Sequence, residues 1–136
     1  MTPRALPSNA ATLLRHRPPA LLLGAIVRFE DTAIVCASCR AGHWEWPALL
    51  EGAAQTAGLL AGLQPGGPDN RAVIAELRDV RIVAPVHDGS VMFHAALERR
   101  LAGFWRCRTV VQSEHGSRLL EARVTVARSA RPSACA

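Results

Sequence analysis

Gly42-His43-Trp44-Glu45-Trp46-Pro47-Ala48-Leu49-Leu50-Glu51-Gly52-Ala53-Ala54-Gln55-Thr56-Ala57-Gly58 is the stretch around which the chain is organised. Leu49, Leu50, Ala53, Ala54, Ala57, Leu60 and Ala61 recur at helical spacing, while Glu51, Gln55, Gly58 and Gly62 form a second stripe that is polar or merely small. Pro47 suits the first helical position, where its missing N–H would be unpaired anyway. Gly62 followed by Pro65-Gly66-Gly67-Pro68 ends the helix. The spacing therefore predicts a helix from about Pro47 to about Leu63, with side chains small enough to lie close to a sheet on nearly every side. One face packs and the other carries a carboxylate.

The segments on either side read as strands. Ala20 to Phe29 runs apolar, Glu30-Asp31 turns the chain, and Thr32 to Arg40 returns it to Gly42-His43, placing the histidine in a strand-to-helix loop. After the helix, Ala72 to Val86 reads as one long strand with a bulge. Val91 to Leu101, Phe104 to Ser113 and Arg118 to Arg128 follow, joined by His87-Asp88-Gly89-Ser90, Ala102-Gly103 and Glu114-His115-Gly116-Ser117. In the last strand Leu120, Ala122, Val124 and Val126 alternate with Glu121, Arg123 and Thr125. A single apolar helix beside a mainly antiparallel sheet is an α+β design in which the sheet curls around the helix.

With 136 residues, 49% of them hydrophobic, the chain is the size of one domain, expected to span residues 1–136 with a loose arm to about Arg15 and a frayed tail from Ser129. No apolar run reaches the ~20 residues of a membrane span, and Ala20 to Val27 is too short for a signal peptide, so a cytoplasmic protein is expected. Cys36 and Cys39 lack a second close pair, which argues against a tetrahedral metal site; Cys36, Cys39, Cys107 and Cys135 are read as free buried thiols, with no metal and no cofactor. The net charge is +5 and every basic side chain is arginine, which favours an anionic partner. Dispersed arginines and only 4% aromatic residues speak against nucleic acid; an acidic carrier protein or the phosphates of a pantetheine-type group suit the surface as well.

Three segments resemble the hotdog-fold β-hydroxyacyl-(acyl carrier protein) dehydratases. Leu14-Arg15-His16-Arg17-Pro18-Pro19-Ala20-Leu21-Leu22-Leu23 is similar to that family's opening Leu-Pro-His-Arg-x-Pro-x-Leu-Leu motif. Glu51-Gly52-Ala53-Ala54-Gln55 is similar to its helix signature Glu-Ala-x-Ala-Gln, and Val80 to Gly89 to its Phe-x-x-Pro-Val-x-Pro-Gly-Asp strand end. The resemblance implies a hotdog fold, subunits joined edge to edge as a homodimer or trimer of dimers, and active sites at the dimer interface. It implies that a histidine of one subunit faces an acid on the partner's helix, and that the substrate is an acyl thioester on acyl carrier protein or CoA. His43 falls on the family's Gly-His-Phe-Pro histidine and Glu51 on its helix acid. The chain departs from the pattern in having only Glu45-Trp46 between Trp44 and Pro47, where the family has a longer Pro-Gly-rich loop, and in having Gly24-Ala25 where Asp-Arg is usual.

Dehydrating a 3-hydroxyacyl thioester removes a C2 proton and protonates the departing 3-hydroxyl, so a base and an acid must flank the same two carbons. Neutral His43 suits the base, and Glu51 the acid if apolar surroundings, from its own helix and a partner's sheet, keep it protonated. The thioester oxygen gains charge in that step. Free N–H groups in the first helical turn, Ala48 first, are placed to receive it. Gln55 is positioned to orient the Glu51 carboxyl or bond the hydroxyl, and Ala48, Gly52 and Gln55 form the expected substrate-binding set. Trp44 and Trp46 are read as interface or tunnel-wall residues, His16 as structural, and His87, His94 and His115 as exposed or edge residues. A hotdog thioesterase, which needs only the helix carboxylate, and a non-catalytic subunit paired with an active homologue are the alternatives.

Overall fold

The computed structural model describes residues 21–68 and 72–129; the opening arm, His16, most of the first family-like motif, Arg71 and Cys135 lie outside them. The elements run β1 (Leu23–Glu30), β2 (Ala33–Ser38), β3 (His43–Glu45), α1 (Trp46–Leu63), β4 (Ala72–Ile82), β5 (Val86–Asp88), β6 (Val91–Leu101), β7 (Phe104–Ser113) and β8 (Arg118–Arg128). Six strands form one antiparallel sheet in the order β1-β2-β6-β7-β8-β4, curved around α1. The boundaries of β6, β7 and β8 are those the alternation predicts. Gly103 (φ 79°) and Gly116 (φ 88°) sit in the intervening turns, where a side chain would be strained.

The inner face of the sheet follows the period of two. Val91, Phe93 and Ala95 of β6, Trp105, Cys107 and Val111 of β7, and Leu120, Ala122, Val124 and Val126 of β8 are buried with Leu49, Ala53, Ala57 and Leu60 of α1 in one cluster. Helix and sheet are in close contact at Gly52, where a Cβ would run into the ring of Phe93. Gly52 is thus a packing residue in this protomer, and the substrate-contact role expected for it is not needed to explain a glycine there. The helix buries more than one face: Gln55 and Thr56 are enclosed along with the alanines. The Thr56 hydroxyl donates to the Gly52 carbonyl (2.7 Å) and so brings no unpaired donor inside.

Several expectations are corrected. The strand expected over Ala72 to Val86 is two elements: β4 ends at Ile82, and Val86 to Asp88 separates as β5 to pair with β3. The bulges lie between Ile74 and Glu76 and between Arg78 and Arg81, where Asp79 takes a left-handed backbone (φ 51°). Trp44 is not an interface residue. It is fully buried, edge-on to Phe93 at 6.1 Å between ring centroids and covered by the Arg40 guanidinium at 4.1 Å. Cys39 is exposed because β2 ends at Ser38, whereas Cys36 and Cys107 are buried free thiols. Of the histidines assigned to edges or solvent, His115 is exposed. His94 is half-buried on β6 between β2 and β7, and His87 is half-buried on β5.

Candidate active site

His43 lies in no loop. The chain passes from β3 directly into α1, so the shortened segment after the histidine is a strand residue followed by a helix start. β3 is held by β5 in the register His43↔Asp88, Trp44↔His87, Glu45↔Val86. Gly42 and Gly89 close the ribbon with a reciprocal pair of N–H···O bonds (3.2 and 2.8 Å), and both have positive φ (129° and 125°), which only glycine adopts without strain. Alternation along the ribbon puts Trp44 into the core and leaves His43, Glu45 and Asp88 outward. The buried indole therefore anchors the strand, and Arg40 adds a bond from Nη1 to the His43 carbonyl (3.1 Å).

This ribbon gives His43 a partner that the sequence reading did not name. Its Nδ1 lies 3.0 Å from Asp88 Oδ1. With the proton on Nδ1 donating to that carboxylate, Nε2 keeps a lone pair and faces outward, the tautomer a base requires. Glu45 Oε1 lies 3.9 Å from Nε2, so an imidazolium formed there meets carboxylates on both sides. The His43 and Asp88 side chains are 57% and 83% exposed, and such a pair contributes orientation rather than more than about 1 kcal/mol of stability. Asp88 was visible in the sequence only as the acid closing the Pro85-Val86-His87-Asp88-Gly89 segment.

Glu51 is exposed in the protomer, so its own helix does not supply the enclosing apolar cover that the sequence reading invoked. Its position is nonetheless defined. Gln55, one turn on and 3% exposed, donates from Nε2 to Glu51 Oε1 (3.3 Å), while its Oε1 accepts the backbone N–H of Leu22 (3.0 Å). The amide is thereby pinned between helix and sheet edge, and it presents the carboxyl. At the helix start, Glu45 provides no side-chain cap, the Trp46 N–H donates to the Pro85 carbonyl (2.8 Å) and Pro47 has none. Ala48 is then the first amide of the helix proper without an intrahelical acceptor. Two polar atoms of the ribbon, Trp44 Nε1 and His87 Nε2, are buried with no hydrogen-bond partner among the described residues. Within one chain, His43 engages Asp88 and Glu51 engages Gln55. Among the described residues no three His, Cys, Asp or Glu side chains are grouped to hold a metal ion, and no helix is long and apolar enough to cross a membrane.

No protein-family profile and no curated protein matches the sequence. Solved structures do match. The dehydratase heterocomplex ApeI:P from Xenorhabdus doucetiae is 17% identical, with 94% of each chain covered and a TM-score of 0.76. A thioesterase from Haemophilus influenzae is 15% identical over 76% of each chain with a TM-score of 0.63. A hypothetical thioesterase with coenzyme A from Streptococcus pneumoniae is 12% identical over 79% of this chain and 87% of its own, with a TM-score of 0.62. At these identities the likeness establishes architecture, and it joins the dehydratase and thioesterase neighbours to one design: the chain has the hotdog fold.

Proposed function

We propose that this protein acts on acyl thioesters as a dehydratase, interconverting 3-hydroxyacyl and trans-2-enoyl forms carried on acyl carrier protein or CoA, in a cytoplasmic dimer with sites shared between subunits. The observation that carries the reading is the His43–Asp88 pair beside the start of α1, with Nε2 left outward as a base. His43 Nε2 takes the C2 proton, and charge moves onto the thioester oxygen, which accepts a hydrogen bond from the Ala48 N–H. The C3–O bond then breaks as the partner subunit's helix acid, the Glu51 position oriented by Gln55, supplies the proton that leaves with water. The exposed Glu51 carboxyl fits this division, since a second subunit would cover it and exclude water there.

His43→Ala and Glu51→Gln should each lower turnover of a 3-hydroxyacyl pantetheine thioester about a hundredfold or more, and the double variant should be scarcely worse than either single one. Thiol release without enoyl product identifies a thioesterase instead. Full activity in His43→Ala removes the histidine from the mechanism. A second reading, a subunit that works only beside an active homologue, is favoured by the missing Pro-Gly-rich segment between His43 and α1 and by the heterocomplex among the similar structures. Wild-type inactivity restored by a co-expressed homologue would establish it.

A further inference from the structure

The face of the sheet turned away from α1 carries a cavity of about 370 Å³ lined by Glu76, Arg99, Leu101, Phe104, Arg106 and Thr125. Its side follows from alternation on β7, where Trp105 and Cys107 point into the core and Phe104 and Arg106 therefore point out. Register assembles the lining into two cross-strand rows. Arg99, Arg106, Thr125 and Glu76 stand side by side across β6, β7, β8 and β4, and Leu101 stands beside Phe104 in the next row toward the β6–β7 turn. Leu101 and Phe104 are 53% and 48% exposed, two large apolar side chains left in water at the mouth of a charged hollow.

The charges of the lining do not cancel. Two guanidinium groups face one carboxylate, and Glu76 is divided between Arg106 Nη2 at 4.0 Å and Arg78 Nε at 3.8 Å. Among the described residues, Arg106 Nε is a buried donor with no hydrogen-bond partner. A planar carboxylate is an acceptor-only group that matches the guanidinium fork, and a small swing of the Arg106 side chain presents Nε–H to it. Counted over the lining alone, two guanidinium groups against one carboxylate leave one positive charge in surplus, enough to hold a monoanion. The volume lies at the small end of ligand pockets, about 300–1,000 Å³.

We propose that this hollow is a second ligand site, one for an amphiphilic carboxylate of medium length. Its head is held by Arg99 and Arg106, and its hydrocarbon covers Leu101 and Phe104. The site is independent of the thioester reading, because its residues lie on the sheet face opposite α1 and outside the His43 and Glu51 constellation. Octanoate titrated into the full-length protein, followed by NMR of backbone amides and arginine Nε–H groups, tests it. Saturable shifts are expected at Arg106 Nε–H and at the amides of Leu101 and Phe104. Octan-1-ol, which lacks the charge, and acetate, which lacks the chain, should each bind more weakly by a factor of about ten or more. Arg106→Gln and Phe104→Ser should each weaken octanoate by about the same factor while leaving thioester turnover unchanged. Absence of saturable shifts, equal binding of octan-1-ol, or shifts centred on His43 and Glu51 that neither variant alters would each overturn the proposal.

Discussion

At the scale of single residues, glycines on one helix have opposite meanings. A Cβ on Gly52 meets the Phe93 ring, whereas one on Gly58 meets nothing within 4 Å. Alanine gains about 1 kcal/mol over glycine in a helix interior, but overpacking a filled core costs about 1–3 kcal/mol. Gly58→Ala should therefore raise the melting temperature by a few degrees, and Gly52→Ala should lower it by a comparable or larger amount, as read by calorimetry. Phe93→Leu placed in the Gly52→Ala background should recover part of the loss, because the two positions compete for one space. Equal effects at Gly52 and Gly58 would refute the close contact. The spacing of small residues already pointed to a helix lying near a sheet; which glycine touches it depends on where β6 crosses.

Among the elements, β4 is one of the two edges of the six-stranded sheet, β1 being the other. Among the described residues β4 pairs with β8 alone, yet Val73, Ile74, Leu77, Val80 and Ile82 are each at least 39% exposed. An apolar edge of this length is an aggregation hazard unless something covers it, and a second copy paired along β4 would do so while bringing another subunit toward α1. The proposed dimer therefore makes a checkable statement. Sedimentation should give a stable dimer or a multiple of it at micromolar concentration, and Leu77→Lys with Val80→Lys should shift it to monomer and abolish thioester turnover together. A monomeric wild type that retains full activity would remove β4 from the assembly.

For the molecule as a whole, two buried thiols set an alkaline limit. Burial pushes Cys36 from 9.0 up to about 12; burial, with a smaller contribution from Glu98, does the same to Cys107. Both folded-state values lie above the unfolded one, so the stability these groups contribute is complete below about pH 9 and is lost as pH rises from there toward 12. The chain has no tyrosine and no lysine, which leaves the thiols as the side chains titrating in that window. The guanidinium unfolding midpoint should be level between pH 7 and about 8.5 and fall above about 9. Cys36→Ala with Cys107→Ala, less stable throughout, should lose most of that slope. An unchanged slope in the variant would assign the alkaline loss elsewhere.

Local pattern alone determined the helix, the strands β6, β7 and β8 with their turns, and the inward set Leu120, Ala122, Val124 and Val126, because periods of 3.6 and 2 are written into neighbouring residues. Glu51 and Gln55 were legible as neighbours on one stripe for the same reason, and His43 as the residue leading into the helix. Tertiary structure alone decided what these residues meet. Asp88 reaches His43 from forty-five positions away through a ribbon that no local period announces, since β5 is three residues long and follows a break in what reads as one strand. Trp44, polar at one atom and apolar elsewhere, reads from sequence as an interface or tunnel-wall residue, and only the packing of Phe93 and Arg40 around it shows that it belongs to the core. Gln55 is buried and Glu51 exposed, four residues apart on one helix, because burial is set by the sheet edge at Leu22 rather than by the helix that carries them.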